Sequence, residues 1–201
     1  MKRNLSLSAL LTLSSFLAPL ASATVVFGFN TDGDFEQWTT LNVTDATVAG
    51  GTINGTASSN DPQLKYEQTL VLGAGESWTT VVYRVRETDS VSGLYIGSAG
   101  APAFSPVGLV VQANGVIVSS GFTTVPSGDD FYTITADISA IPDVDITTIR
   151  VDPIGGALSN SGSETTGNTF EVDFIQVNSV PEPSAALLGG MAGLLLLRRR
   201  R

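Results

Sequence analysis

The chain has 201 residues, 19 acidic against 10 basic, and a formal net charge of −9. It contains no Cys and no His, which excludes disulfides, Ser-His-Asp and Cys-His nucleophile systems, and zinc sites built on His or Cys. Only carboxylate chemistry remains to an enzyme, and a nucleic-acid partner is excluded because Lys65, Arg84, Arg86 and Arg150 are the whole basic inventory between residues 24 and 180.

The N-terminus carries Lys2 and Arg3, then a block rich in Leu, Ala and Ser from Leu5 to Leu20, then Ala21-Ser22-Ala23. Positive region, apolar region and small-x-small cleavage site in that order predict a secretory signal peptide over 1–23, cut by signal peptidase so that the mature chain begins at Thr24.

Residues 24–179 form one domain-sized body, large enough for its own core. Its apolar residues come in short or alternating runs separated by Gly, Pro, Asn and Asp, with no convincing 3.6-residue period. The runs predict strands at Val25–Phe29, Trp38–Val48 (broken near Asn42), Thr52–Thr56, Leu64–Leu70, Trp78–Arg86, Leu94–Gly97, Val107–Val111, Val116–Ser119, Phe131–Ile138, Ile146–Asp152 and Phe170–Val177. Asn114-Gly115, between two Val-rich runs, is the best hairpin signal. About ten such strands point to an all-β fold, a β-sandwich of jelly-roll type. The polar, Gly-rich stretches 119–130 and 155–168 are expected to be mobile loops.

Alternation assigns faces. Thr79, Val81, Tyr83 and Val85 share one face of their run, and Trp78, Thr80, Val82, Arg84 and Arg86 the other. Trp78 with Arg84 and Arg86 would make a polar sheet surface suited to a glycan with carboxylates or sulfates, set against ordinary burial of the Trp. Trp38 and Tyr83 read as core, while Tyr95, Phe104 and Tyr132 are further rings that could stack on sugars.

Asn30, Asp32, Asp34 and Glu36 place oxygen donors at alternate positions around Gly33, the hard ligands that Ca²⁺ takes. The spacing is not that of an EF-hand loop, and a plain turn between two strands is the competing reading. Glu171 and Asp173 share a strand face at a separation compatible with a glycosidase pair, a pattern that any Glu-x-Asp strand produces.

The last stretch has three parts. Val180-Pro181-Glu182-Pro183 refuses helix, since each proline fixes φ and removes a donor. Ala185 to Leu197 is unbroken apolar and Gly sequence, about 20 Å long as a helix against a hydrocarbon core of about 30 Å. Arg198, Arg199, Arg200 and Arg201 close the chain as a membrane stop that stays cytoplasmic.

The order Pro-Glu-Pro, short apolar helix, terminal Arg cluster resembles the PEP-CTERM sorting signal. The resemblance covers residues 180–201 and implies processing near Pro-Glu-Pro by an exosortase, transient membrane insertion through a short transmembrane helix, and delivery to the cell surface or extracellular matrix. The body, with FGFNTDGDFEQW at its start, IRVDP at Ile149–Pro153 and FEVDFIQV at Phe170–Val177, is similar to galactose-binding-like jelly-roll carbohydrate-binding modules. That resemblance implies a polysaccharide partner and a structural Ca²⁺ between the first and last strands, with Asp173 as an additional ligand.

The reading is of an exported, non-enzymatic surface protein whose body binds carbohydrate. A carboxylate-only glycan-active enzyme and a purely structural surface or adhesion component stand as alternatives.

Overall fold

The computed structural model describes residues 23–89, 109–118, 121–154 and 166–181. Residues 1–22 of the signal peptide, the run at Leu94–Gly97, Tyr95, Phe104, Glu182, Pro183, the apolar tail and Arg198–Arg201 lie outside the described residues.

Twelve strands appear among them: β1 (Thr24–Phe27), β2 (Trp38–Leu41), β3 (Val43–Ala49), β4 (Thr52–Ala57), β5 (Gln63–Tyr66), β6 (Glu76–Asp89), β7 (Val111–Ala113), β8 (Val116–Val118), β9 (Thr123–Pro126), β10 (Tyr132–Asp137), β11 (Ile149–Val151) and β12 (Thr169–Pro181). All pair antiparallel. One sheet has the order β3-β4-β12-β6-β10-β9, with β1 added to β12; the other has the order β2-β5-β11-β7-β8.

The two sheets share one core, as the alternating sequences require. Val81, Tyr83, Val85, Ile134, Val172 and Ile175 from the larger sheet meet Leu64, Val111, Ile149 and Val151 from the smaller. Phe27 of β1 packs edge-on to Trp38 of β2, with ring centroids 5.3 Å apart, and against Tyr66 of β5 at 4.7 Å. The Tyr83 hydroxyl crosses the core to the Asp152 carbonyl, 3.3 Å away.

The break expected near Asn42 is where the chain changes sheet. Asn42 has φ +58°, and its side-chain amide donates to the Asp61 carbonyl at 2.9 Å. The expected hairpin forms, with Val111 opposite Val118 and positive φ at both Asn114 and Gly115, as a primed turn demands.

Three differences from the expected layout matter for the site. The stretch expected to be a mobile loop contains β9, an edge strand on β10, whose Thr-Thr-Val-Pro sequence has too few apolar residues to show alternation. β12 runs past Val177 to Pro181, paired with β6 throughout. β6 carries a bulge at Thr79: Thr80 faces Asn178 and Trp78 faces Ser179, leaving Thr79 without an opposite residue. One extra residue moves everything beyond it to the other face.

Candidate functional site

The outer face of the larger sheet bears an open groove of about 880 Å³. Strand register builds its floor. Arg86 of β6 lies opposite Glu171 of β12, Glu171 opposite Asn54 of β4, and Asn54 opposite Thr47 of β3. This polar row crosses four strands, a span of roughly 14 Å. All four residues line the groove. Alternation put the partners of this row outward while Ile53, Val85 and Val172 went into the core.

Two arginines are fixed at one end. The Arg86 Nη2 is 2.7 Å from Glu171 Oε2, and its Nη1 donates to the Asp129 carbonyl at 3.1 Å. Arg84 Nη1 lies 2.5 Å from Asp173 Oδ2. Its Nε donates to Ser127 Oγ at 3.1 Å, and its Nη2 to the carbonyls of Ser127 and Gly128 at 3.3 Å each. Both guanidiniums lie over the Phe131 ring, with the carbons of Arg84 and Arg86 4.1 and 4.6 Å from its centroid. A bulge on β12 leaves Asp173 without an opposite residue on β6, so it turns outward beside Phe174 and reaches Arg84.

The sequence pointed to Arg84 and Arg86, and the fold brings them together. Trp78 is not with them. The Thr79 bulge turns it into the core, where it is 3 % exposed and its Nε1 donates to the Val144 carbonyl at 2.8 Å. Strict alternation is blind to a bulge and assigns Trp78 to the outer face; the competing reading, ordinary burial, is the one the fold realises. Trp38 and Tyr83 are core residues, as expected. Phe131, Asn54 and Thr47 were not singled out. Phe131 is in phase with Thr133 and Thr135 along its run, but its contact with two arginines from another strand is not a property of that spacing.

Glu171 and Asp173, the carboxylate pair of the hydrolase alternative, each face a guanidinium. The acidic loop is also occupied locally. Glu36 Oε2 and Oε1 accept the N–H groups of Gly28 at 3.1 Å and Phe29 at 2.8 Å. Asp34 Oδ1 accepts the Glu36 N–H at 2.8 Å, and Asp32 Oδ1 accepts the Gly50 N–H at 3.0 Å. Asn30 lies over Gly28, where an added Cβ would meet its Nδ2 at 2.6 Å. Among the described residues no group of three or more acidic side chains converges as metal ligands would, and Asp173 is held by Arg84 in the groove.

A second ionic cluster stands on the smaller sheet. Arg150 grips Asp152 with Nε–Oδ1 and Nη2–Oδ2 at 2.7 Å each and also binds Asp61. Asp152 is buried, and burial pushes its carboxyl up to about 6 against the opposing pull of Arg150. Burial, then the nearby Asp152, holds the Tyr83 hydroxyl well above its usual range.

No family model matches the chain, and no curated protein matches it. Among solved structures it is similar to a carbohydrate-binding module, CBM6cm-2 from Cellvibrio mixtus lichenase 5A in complex with cellotriose, at 13 % identity and a TM-score of 0.35, covering 80 % of this chain and 98 % of that one. It is also similar to the Agl-KA catalytic domain, at 16 % identity and a TM-score of 0.30, covering 72 % of this chain and 28 % of that one.

Proposed function

We propose that this chain is an exported protein, sorted to the cell surface or extracellular matrix through its C-terminal tail, whose β-sandwich binds polysaccharide in the groove on the larger sheet. The groove carries the binding half of this reading. It is open and polar, and its hydrogen-bonding groups are held in place by ion pairs and strand register. Fixed planar groups of this kind suit a hydroxyl-rich chain, because little side-chain freedom is lost on binding. In this reading the body binds rather than cleaves, because each candidate carboxylate is engaged by an arginine.

The order of the termini supports the sorting half. β12 leads directly into Glu182, and Glu76 of β6 lies opposite Pro181. Arg84 and Arg86 lie farther along β6, roughly 26–33 Å from that end by strand rise. A body tethered by its tail would therefore hold the groove away from the membrane.

Calcium belongs to this proposal through the donor types of Asn30, Asp32, Asp34 and Glu36. The experiment for the sorting half is the intact mass of protein recovered from cells with a matched exosortase. A chain starting at Thr24 and lacking the Arg cluster supports the reading; a mature chain ending in Arg201 removes it.

A further inference from the structure

The two ends of the body meet at one pole. Thr24, the expected first residue of the mature chain, opens β1 and lies opposite Asn178 of β12. β12 continues through Val180 and Pro181, opposite Ser77 and Glu76. Strand pairing thus reaches into the sorting motif.

Ser179 sits at the junction and is buried. Its N–H donates to the Ala23 carbonyl at 3.0 Å, and its hydroxyl donates to Glu76 Oε2 at 2.7 Å. Donors alternate sides along a strand, so the next residue aimed at β1 is Pro181, which has no N–H. The Ser179 N–H is therefore the last one that β12 offers on that side. Its acceptor belongs to the signal peptide, not to the mature chain.

A protease that reads an extended segment needs backbone groups not already used in a sheet. We propose that the Ala23 carbonyl is a latch on the sorting tail. It holds Ser179 to β1 while the signal peptide is attached, and its departure leaves the Ser179–Pro181 end of β12 held by β6 alone, with its β1-side backbone open to the sorting protease.

The triggering step is hydrolysis of the Ala23–Thr24 peptide bond by signal peptidase. Water supplies the oxygen; the Ala23 carboxylate leaves with the signal peptide, and an α-ammonium remains on Thr24. Ser179 then has a donor near its N–H where an acceptor stood. The N-terminal cut therefore speeds the C-terminal one. This inference rests on the export and sorting reading above.

Hydrogen exchange tests the latch without any protease. Two chains, starting at Ala23 and at Thr24 and both ending at Arg201, differ by one residue. The Ser179 amide should exchange roughly five-fold faster in the Thr24 chain, the loss of about one net hydrogen bond, while Val81–Val85 exchange equally in both. Equal Ser179 rates overturn the latch. In cells, Ala23→Leu blocks signal-peptide removal and keeps the backbone carbonyl. This variant should lose Arg201 roughly five-fold more slowly than wild type; tail cleavage at the wild-type rate with the signal peptide attached overturns the coupling. If wild type itself keeps Arg201, the sorting reading fails and the exchange rates still decide the latch.

Discussion

Arg86 reaches across from β6 to Glu171 on β12 with two nitrogens on one oxygen, Nε at 2.9 Å and Nη2 at 2.7 Å from Oε2. The two residues are register partners, so the contact costs no backbone adjustment. Both side chains are partly exposed, which limits the stabilisation to that of a screened pair. A double-mutant cycle with Arg86→Ala and Glu171→Ala, followed by urea unfolding, should give a coupling of about 0.5–1 kcal/mol. A coupling near zero would mean that the pair is not formed in solution.

Trp78 has a structural role. Trp78→Ala should destabilise the fold by about 3–5 kcal/mol, the usual cost of emptying a large core site, and should lose the bond to the Val144 carbonyl. Trp78→Phe, which keeps a ring there, should cost less. Binding per folded molecule should be unchanged in Trp78→Phe, and a selective loss of binding in that variant would return the Trp to the groove.

Asp152 makes stability depend on pH with an unusual sign. Its folded value, about 6, lies above the ordinary unfolded value of about 3.9, so between those values the folded state binds the extra proton. Its contribution is therefore fully present at low pH and is lost as pH rises through about 6. The span corresponds to an order of magnitude of 2–3 kcal/mol. Denaturant titrations from pH 4 to 7 should show this decline in wild type and a flatter profile in Asp152→Asn. Identical profiles would contradict the assignment.

Glu36 ties the acidic loop to the end of β1. Glu36→Ala removes both acceptors of the Gly28 and Phe29 N–H groups and should cost about 2 kcal/mol; a loss below about 0.5 kcal/mol would show those amides to be satisfied otherwise. Calcium at this loop predicts a separate effect, a lower melting temperature with excess EDTA. An unchanged melting temperature removes calcium and leaves the Glu36 prediction standing.

Much of the sandwich was legible because alternation is a local property. Val81, Tyr83 and Val85 went inward, as did Ile134, Ala136 and Ile138, and Asn114-Gly115 made its turn. What failed was non-local. The bulge at Thr79 is set by how β6 meets β12 near Ser179, and no spacing within β6 announces it. β9 is polar and gains its place only from pairing with β10. In the groove, each arginine could be assigned a face, but their common seat on Phe131 and their partners Glu171 and Asp173 depend on three strands being neighbours. The Ser179–Ala23 contact joins residues at opposite ends of the body, beyond the reach of any local pattern.

The measurement that bears most directly on the proposed function is polysaccharide binding by the processed chain, compared with Arg86→Ala and Asn54→Ala. These substitutions lie on the open outer face, so both variants should stay folded, with circular dichroism matching wild type. Wild type should be retained on at least one polysaccharide of a panel of neutral and acidic polymers in affinity electrophoresis. Both variants should lose at least about ten-fold in affinity, a change of about 1.4 kcal/mol. Retention of no polymer by wild type, or equal retention of folded variants and wild type, would contradict the groove as the binding site.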